Sequence, residues 1–533
     1  MNDYYSTFFA IIVLVAAAGG VFSCSSKPDL QDGTPAMVTR LDSISNNIDI
    51  RVNEYANNAR LEHFMQFRTP FELVPKLNYH LTLAQEQLRA GQTEKAIERY
   101  QHLIKVWNGL EPAQKESSME FRRSVEESLA LSYLRLGEQQ NCLLNHSAAS
   151  CLFPIKGDGV HTITEGSEKA IEIYKRLIPQ YEAENNEDMA LTSQWLLNIA
   201  YMTLGRHPQD VPDQWLIPEK AFKSEYDLPT FTDIAMTVGL AEQGLSGGSI
   251  TEDFNNDGYI DVVASSWGLD DQLHYFENTG QGTFIKKTNE AELTGIVGGL
   301  NLRHADFNND GFADILVLRG AWIQSAGHHP NSLLLNNGDG TFSDVTKSAG
   351  LFSLHPTQTA EWGDFNNDGW LDLFIGNETN GSDVNPCELF LNQGDGTFEE
   401  VAASAGVDVT GYVKGVAIGD FNNDGWQDLY VSRYDGPNVL FKNEQSSSSD
   451  IPTFTDVTQK AGVAQPEISF PTWFWDYNND GWQDLFVSAY DAIPSDVARE
   501  YLGKKINGGI PRLYKNNGDG TFTDVTAETN LKK

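Results

Sequence analysis

DFNNDGYID (253–261) returns as DFNNDGFAD (306–314), DFNNDGWLD (364–372), DFNNDGWQD (420–428) and DYNNDGWQD (476–484), at spacings of 53, 58, 56 and 56 residues. Each copy fits D-x-N-x-D-G-x-x-D. Oxygen-bearing groups at positions 1, 3 and 5 converge on one centre when the chain curls. Glycine at 6 permits the sharp turn, the carbonyl at 7 faces inward and aspartate at 9 completes the cage. The expected ligands are Asp253, Asn255, Asp257, Tyr259 and Asp261 in the first loop, and Asp306, Asn308, Asp310, Phe312 and Asp314 in the second. Asp364, Asn366, Asp368, Trp370 and Asp372 form the third set, and Asp420, Asn422, Asp424, Trp426 and Asp428 the fourth. Asp476, Asn478, Asp480, Trp482 and Asp484 form the fifth. This is the ligand logic of an EF-hand loop, shortened and without its closing bidentate glutamate. An all-oxygen, carboxylate-rich set suits a hard cation, and its flexible geometry favours Ca2+ over Mg2+, with about five ions expected per chain.

No helix pattern flanks these loops. Each is followed by a short run that is apolar on both parities: DVVAS, DILVL, DLFIG, DLYVS or DLFVS. Such runs read as strands buried on both faces. Further on come YFENTGQGTF, LLLNNGDGTF, LFLNQGDGTF and LYKNNGDGTF, with a degenerate VLFKNEQSSSSDIPTF in the fourth copy. Asn-Gly-Asp-Gly is a hairpin signal, and FSDVT, FEEVA or FTDVT supplies a further strand. Four antiparallel strands per unit make a propeller blade. The expected architecture is an all-β propeller of five recognisable blades over 217–533, preceded by an α-helical domain. Blade number is strained by FTDIA at 231–235, a sixth copy of the final-strand motif: either one strand is surplus or a sixth blade is incomplete.

These units resemble FG-GAP/VCBS repeats. The stretches VLRGAWIQSAGHHPNSLLLNNGDGTF, VKGVAIGDFNNDGWQDLYVSR and SFPTWFWDYNNDGWQDLFVS are similar to bacterial members of the cartilage-acidic-protein-like family, related to ASPIC/UnbV proteins. NCLLNHSAASCLFPIKGDGVH and WLLNIAYMTLG are similar to the helical leader of some members. The resemblance implies extracellular binding or adhesion more than a defined reaction. Family members often continue into a C-terminal ASPIC/UnbV domain, which the residues up to Lys533 do not include, so no role tied to that domain is carried over.

The first 24 residues concern delivery. Phe8–Ser23 is an apolar stretch too short to span a membrane but suited to a secretory signal. Val21-Phe22-Ser23-Cys24 resembles a lipobox, with Cys24 the acylated residue, although the n-region holds no Lys or Arg. A lipid-anchored protein of the bacterial cell envelope, at the outer membrane or cell surface, is the expectation. Residues 25–74 read as tether and leading helix. Over 75–216 the periodicity is helical, and Gly91, Ala96 and Tyr100 carry tetratricopeptide-like spacing. SEKAIEIYKRLIP repeats AIERYQHLI, and the Tyr-x-x-Leu-Gly of 133–137 recurs at 201–205. The second unit holds an insert, 138–165, with Cys142, His146, Cys151 and His161. For an exported protein the expected pairing is a Cys142–Cys151 disulfide; a metal site using the thiolates and histidines is the alternative.

The 74 acidic against 37 basic residues exclude a nucleic-acid partner, since a net charge of −37 is repelled by phosphate. From Ile217 onward the count is 47 acidic and 18 basic, so most of the acid lies with the loops. No nucleophile elbow, P-loop, dinucleotide fingerprint or H-E-x-x-H helix occurs, and no catalytic residues are assigned. The expected function is a binding or adhesion module for protein or glycan; the rival is a propeller-based polysaccharide lyase or glycosidase. Secondary expectations are that Trp370, Trp426 and Trp482 pack at the loop bases, that the run Phe470–Trp475 is blade core, and that His328-His329 is solvated surface. The loop 492–511, with Arg499, Lys504 and Lys505, is the best unassigned binding loop.

Overall fold

The computed structural model describes residues 32–143, 147, 149–150, 152–223, 226, 229, 231–444, 451–529 and 531. The secretory and lipidation reading of residues 1–24, with Cys24, lies outside the described residues. So does Cys151, and with it the disulfide pairing. Cys142 lies with its sulfur 3.8 Å from His161 Nε2.

Two helices, α1 (Thr34–Asn46) and α2 (Asn57–Gln66), lead the chain. A helical region follows: α3 (Leu73–Arg89), α4 (Thr93–Asn108), α5 (Pro112–Glu116), α6 (Met119–Asn141), α7 (Glu165–Ala183) and α8 (Glu187–Thr203). Its core is built from the residues that set the helical period, among them Ala84, Ala96, Tyr100, Ala130, Tyr133, Ala170, Tyr174 and Ala200. Small residues fall where helices touch. A Cβ on Gly166 would lie 2.4 Å from the Tyr133 carbonyl, so any larger residue would push α7 off α6.

Five four-stranded antiparallel sheets then succeed one another, each a meander in chain order. Sheet 1 is β1 (Ser246–Glu252), β2 (Asp261–Ser266), β3 (His274–Asn278) and β4 (Phe284–Lys286), with the short helix α9 (Ala235–Val238) before it. Sheet 2 is β5 (Asn301–Ala305), β6 (Asp314–Leu318), β7 (Ser332–Asn336) and β8 (Phe342–Asp344). Sheet 3 is β9 (Thr357–Gly363), β10 (Asp372–Asn377), β11 (Glu388–Asn392) and β12 (Phe398–Glu400), followed by α10 (Ala402–Ala405). Sheet 4 is β13 (Val413–Gly419), β14 (Asp428–Arg433), β15 (Val439–Asn443) and β16 (Phe454–Asp456), followed by α11 (Thr458–Ala461). Sheet 5 is β17 (Ser469–Trp475), β18 (Asp484–Ala489), β19 (Arg512–Asn516) and β20 (Phe522–Asp524), with α12 (Pro494–Tyr501) between β18 and β19. The second strands β6 and β10 are buried at every residue, as runs apolar on both parities require.

First strands pack in succession, β1 on β5, β5 on β9, β9 on β13 and β13 on β17, so the sheets fan about a common line. The described residues do not show β17 packing on β1 in the same way, and closure into a ring is not seen. FTDIA does not pair as a strand: its Phe231–Asp233 lie in no sheet.

Three expectations are corrected. The Phe470–Trp475 run is not simply core, because Trp473 is 45% exposed. His329 is not solvated surface: it is buried, and His328 bonds to Asp383 through Nε2 (3.0 Å) and to the Leu354 carbonyl through Nδ1 (2.8 Å). The 492–511 loop is no free binding loop. Its helix α12 docks on α8, with Tyr501 stacked 5.1 Å from Trp195, Arg499 2.7 Å from Asp188 and Lys504 3.1 Å from Glu187. The leading segment also rests on the sheets. Met37 and Leu41 enter the core of sheets 1 and 2, and Tyr55 meets Trp267 at 4.0 Å.

Candidate functional site

All five D-x-N-x-D-G-x-x-D loops join the first strand of a sheet to its second, so they share one edge of the molecule. Their internal bonding repeats in each copy. The position-1 carboxylate accepts the amides of positions 5 and 6, as in Asp253 with Asp257 N (3.0 Å) and Gly258 N (2.8 Å), and Asp364 with Asp368 N (3.0 Å) and Gly369 N (2.9 Å). The asparagine at 3 accepts the same position-5 amide, and the aspartate at 5 accepts the amide of 7 at 2.8 Å in the third loop. Side-chain oxygens from positions 1, 3 and 5 are thereby folded over the turn. Glycine at 6 supplies a φ of 86–91°, which other residues resist.

Position 9 does a second task. Each of Asp261, Asp314, Asp372, Asp428 and Asp484 accepts, on Oδ1, the amide of the asparagine ending the third strand, at 2.7–2.9 Å. In four loops its Oδ2 takes the amide of position 2; in the first it takes the Tyr275 hydroxyl at 2.8 Å. Burial pushes Asp314, Asp372 and Asp428 up to about 7 against those N–H bonds, and the neighbouring loop aspartates add to the rise. A carboxylate so placed gains from a nearby cation. Among the described residues no three His, Cys, Asp or Glu side chains group as a metal cluster. In these loops Asn at 3 and the carbonyl at 7 are part of the expected donor set, and every donor is oxygen. The donor chemistry fits Ca2+, which would be held by positions 1, 3, 5, 7 and 9.

In four of the loops the aromatic at position 7 packs on the hairpin turn of its own sheet, while the turn that Trp426 would meet lies largely outside the described residues. A Cβ on Gly394 or Gly518 would lie 2.9 Å from Trp370 or Trp482, and one on Gly338 2.9 Å from Phe312. The second asparagine of DFNNDG, at position 4, is a functional residue that the ligand count missed. It sits in left-handed backbone (φ 53–57°), and its amide reaches the next loop. Asn256 donates to Gly311 O (2.9 Å), Asn309 to Gly369 O (3.2 Å), Asn367 to Gly425 O (2.9 Å) and Asn423 to Gly481 O (2.9 Å). In return, the asparagine ending the third strand of sheets 2 to 5 donates to the preceding loop: Asn336 to Phe254 O, Asn392 to Phe307 O, Asn443 to Phe365 O and Asn516 to Phe421 O, at 2.7–2.9 Å. The loops are stitched to one another in both directions. The signal was the recurrence of Asn-Asn where ligation needs only the first.

A second constellation lies where the sheets converge. Lys414 on β13 is fully buried against Glu378, with its Nζ 3.1 Å from the Trp322 ring centre and 4.2 Å from that of Tyr412. Glu378 also accepts the Trp322 amide at 2.8 Å. Burial pushes the Lys414 amine down to about 8, although Glu378 opposes it. Trp322 in turn touches Tyr412, Tyr434, Phe470 and Tyr490, so one residue of the β6–β7 connection meets residues in or beside the strands of sheets 4 and 5. A lysine inside the apolar run VKGVAIG was the only trace of this in the sequence.

Comparison with known proteins agrees with this geometry. A family model described as FG-GAP-like repeat matches residues 253–317, 322–375, 364–431 and 420–487. Cartilage acidic protein 1 of Homo sapiens is 33% identical over 197 residues, 36% of this chain and 28% of that protein. The Mus musculus protein is 35% identical over 197 residues, with the same coverage, and that of Xenopus tropicalis 37% over 134 residues, covering 25% of this chain and 20% of its own. The chain thus spans less than a third of the length of these relatives. It carries FG-GAP repeats and is homologous, at modest identity, to cartilage acidic protein 1.

Proposed function

We propose that this chain is an exported, calcium-binding lipoprotein of the bacterial cell envelope that acts as a binding or adhesion module. The observation that carries the reading is the fivefold recurrence, along one edge, of an all-oxygen loop with one bonding pattern. In it the sheets are the blades of a propeller, and Ca2+ neutralises carboxylates that otherwise repel one another across each loop. The tetratricopeptide-like helical domain, docked on sheet 5, offers a protein-binding surface, and the blades bind protein or glycan outside the cytoplasm. Cys24 carries the lipid that holds the module at the membrane; among the described residues no helix is long and apolar enough to cross one.

A glycan array and a pull-down from envelope extracts, each with calcium and with EDTA, test the reading. Calcium-dependent capture of a glycan or protein is expected. Calcium-dependent release of cleavage products from a polysaccharide would overturn it in favour of a lyase or glycosidase. Replacing Cys24 with Ala should move the protein from the detergent phase to the aqueous phase; unchanged partitioning would remove the lipid anchor from the account.

A further inference from the structure

A cavity of about 400 Å3 opens where the segment joining α1 to α2 crosses the connections that follow β2 and β6. Both connections leave the far end of a second strand, so they lie at the edge of the sheets away from the D-x-N-x-D-G-x-x-D loops. The cavity shares no residue with those loops. Its volume falls in the range of small-molecule sites, about 300–1,000 Å3.

One wall is the leading segment. Met37 and Leu41 hold α1 in the core of sheets 1 and 2, and the end of that helix brings Ser43 and Asn47 to the cavity. Asn47 donates back to Ser43 O at 2.7 Å, and its side-chain oxygen accepts no hydrogen bond among the described residues. Asn53 is 5% exposed. Its Oδ1 accepts Tyr55 N at 2.9 Å, and its own amide bonds to Asp49 O at 2.9 Å. Its Nδ2 donates to no group among the described residues, although the residue lines the cavity. A donor so placed is costly to leave unused, and an acceptor in the cavity removes that cost.

The other wall is fixed from behind. His328 spends both ring nitrogens, on Leu354 O and on Asp383, and so offers the cavity a ring rather than a donor. Ala326 N bonds to Ile323 O at 3.0 Å and His329 N to Gly327 O at 2.6 Å. Ahead of them Trp322 and Gln324 take φ of 70° and 50°, left-handed backbone that a side chain resists and that the surrounding packing holds. A wall held this way needs little ordering when a ligand arrives. The charges at the cavity are already matched: Asp49 pairs with Arg51 at 2.8 Å and His328 with Asp383 at 3.0 Å. No other Asp, Glu, Lys or Arg lines it among the described residues, and Ile44, Ile48 and Leu269 set apolar patches between the polar groups.

We propose that this cavity binds one or two uncharged pyranose units, free or at the end of a glycan. Asn53 Nδ2 donates to a ring or glycosidic oxygen, which only accepts, and Asn47 Oδ1 takes a hydroxyl proton. An anion finds no free cation here, and a cation finds only a carboxylate that is already paired. A purely apolar ligand leaves Asn53 unsatisfied. A saccharide presents hydroxyls and C–H faces in alternation, as the lining does. The inference rests on the binding-module reading and narrows its glycan branch to one site.

Ligand-observed NMR on the calcium-loaded full chain tests it. The probes are the methyl glycosides of glucose, galactose, mannose and N-acetylglucosamine, the disaccharides maltose, cellobiose and lactose, and glucuronate as the charged control. At least one neutral sugar should bind and slow amide exchange at 43–53 and 326–329, with glucuronate at least tenfold weaker. If a disaccharide or a methyl glycoside binds more tightly than the free monosaccharide, the site takes a glycan end; the reverse order marks a free sugar. Asn53→Asp keeps the oxygen that accepts Tyr55 N and removes the donor, while Ser43→Trp, at an exposed helix position, fills the cavity. Each should weaken binding tenfold or more and leave the calcium content unchanged. No binding by any sugar of the panel would overturn the proposal, as would glucuronate binding as tightly as the neutral sugars. Calcium-dependent capture of a glycan or protein that survives both variants leaves the binding-module reading standing while this cavity falls.

Discussion

Replacing Asn392 with Ala measures how far one loop depends on the next sheet. The Asn392 amide donates to Phe307 O (2.8 Å) in the loop of sheet 2 and to Leu371 O (3.1 Å) in its own, while its Oδ1 accepts Gly394 N (3.0 Å). The residue is buried, so truncation strands two carbonyls and an amide where water does not replace the lost partner. At about 1 kcal/mol per bond and more for each buried group left unpaired, the cost is about 2–4 kcal/mol. Asn278 holds the equivalent place in sheet 1 but makes no bond to a preceding loop, and its surroundings are exposed. Asn278→Ala should cost about 1 kcal/mol. Hydrogen exchange is the assay, because a global unfolding free energy is ill-defined in a multidomain chain. The loop amides Asp310 N and Gly311 N, both bonded to Asp306, should exchange faster by about thirtyfold or more in Asn392→Ala. They should be unchanged in Asn278→Ala. Equal effects of the two substitutions on 306–314 would refute stitching between sheets.

Lys414→Met leaves Glu378 buried without its cation and should cost about 3–5 kcal/mol in local stability, while Lys414→Met with Glu378→Leu should cost less; amide exchange along β13 separates them. Burial, with Arg319 and His328 adding, pushes His329 down to about 4 from 6.5, so the folded state holds it neutral while the unfolded chain binds a proton in that window. Stability should therefore fall as pH drops from about 6.5 to 4, by about 1.4 kcal/mol per unit at most, and His329→Gln should flatten that slope in melting curves taken across the range. Arg499→Ala removes the group that holds Asp188 and Asp496 together, and it should speed proteolysis at the junction of α8 and α12 without changing the exchange of the loops.

The loops and the sheets were legible because each copy carries its own information: ligand spacing, an apolar run, and a hairpin turn within one unit. The helical period was legible for the same reason, since Ala96 and Tyr100 fix a face without knowledge of what covers it. What covers an element was not legible. Trp473 lies in an aromatic run that reads as core, yet its neighbour on that side is absent from the described residues, so sequence hydrophobicity alone misplaced it. The helix 494–501 was misread because its partner Asp188 lies in a segment whose approach is set by tertiary packing, and His329 because the burial of its loop is set in the same way. The hub at Lys414 draws on sheets 2, 3 and 4 and leaves almost no local mark. The surplus FTDIA was visible as a count that did not close; its Phe231 is exposed and lies in no sheet.

Calcium content of the purified full chain, followed through an EDTA titration of its melting curve, tests the central claim most directly. The account predicts one ion per loop, about five per chain, and a large fall in the melting temperature of the sheets on chelation, with the helical region 75–216 little changed. If free calcium exceeds a site's Kd about twentyfold, each site contributes about 1.8 kcal/mol and five contribute about 9 kcal/mol. Asp368→Ala or Asp424→Ala should each remove one ion and a part of that shift. A chain that binds almost no calcium, or a melting curve that EDTA leaves in place, contradicts the account.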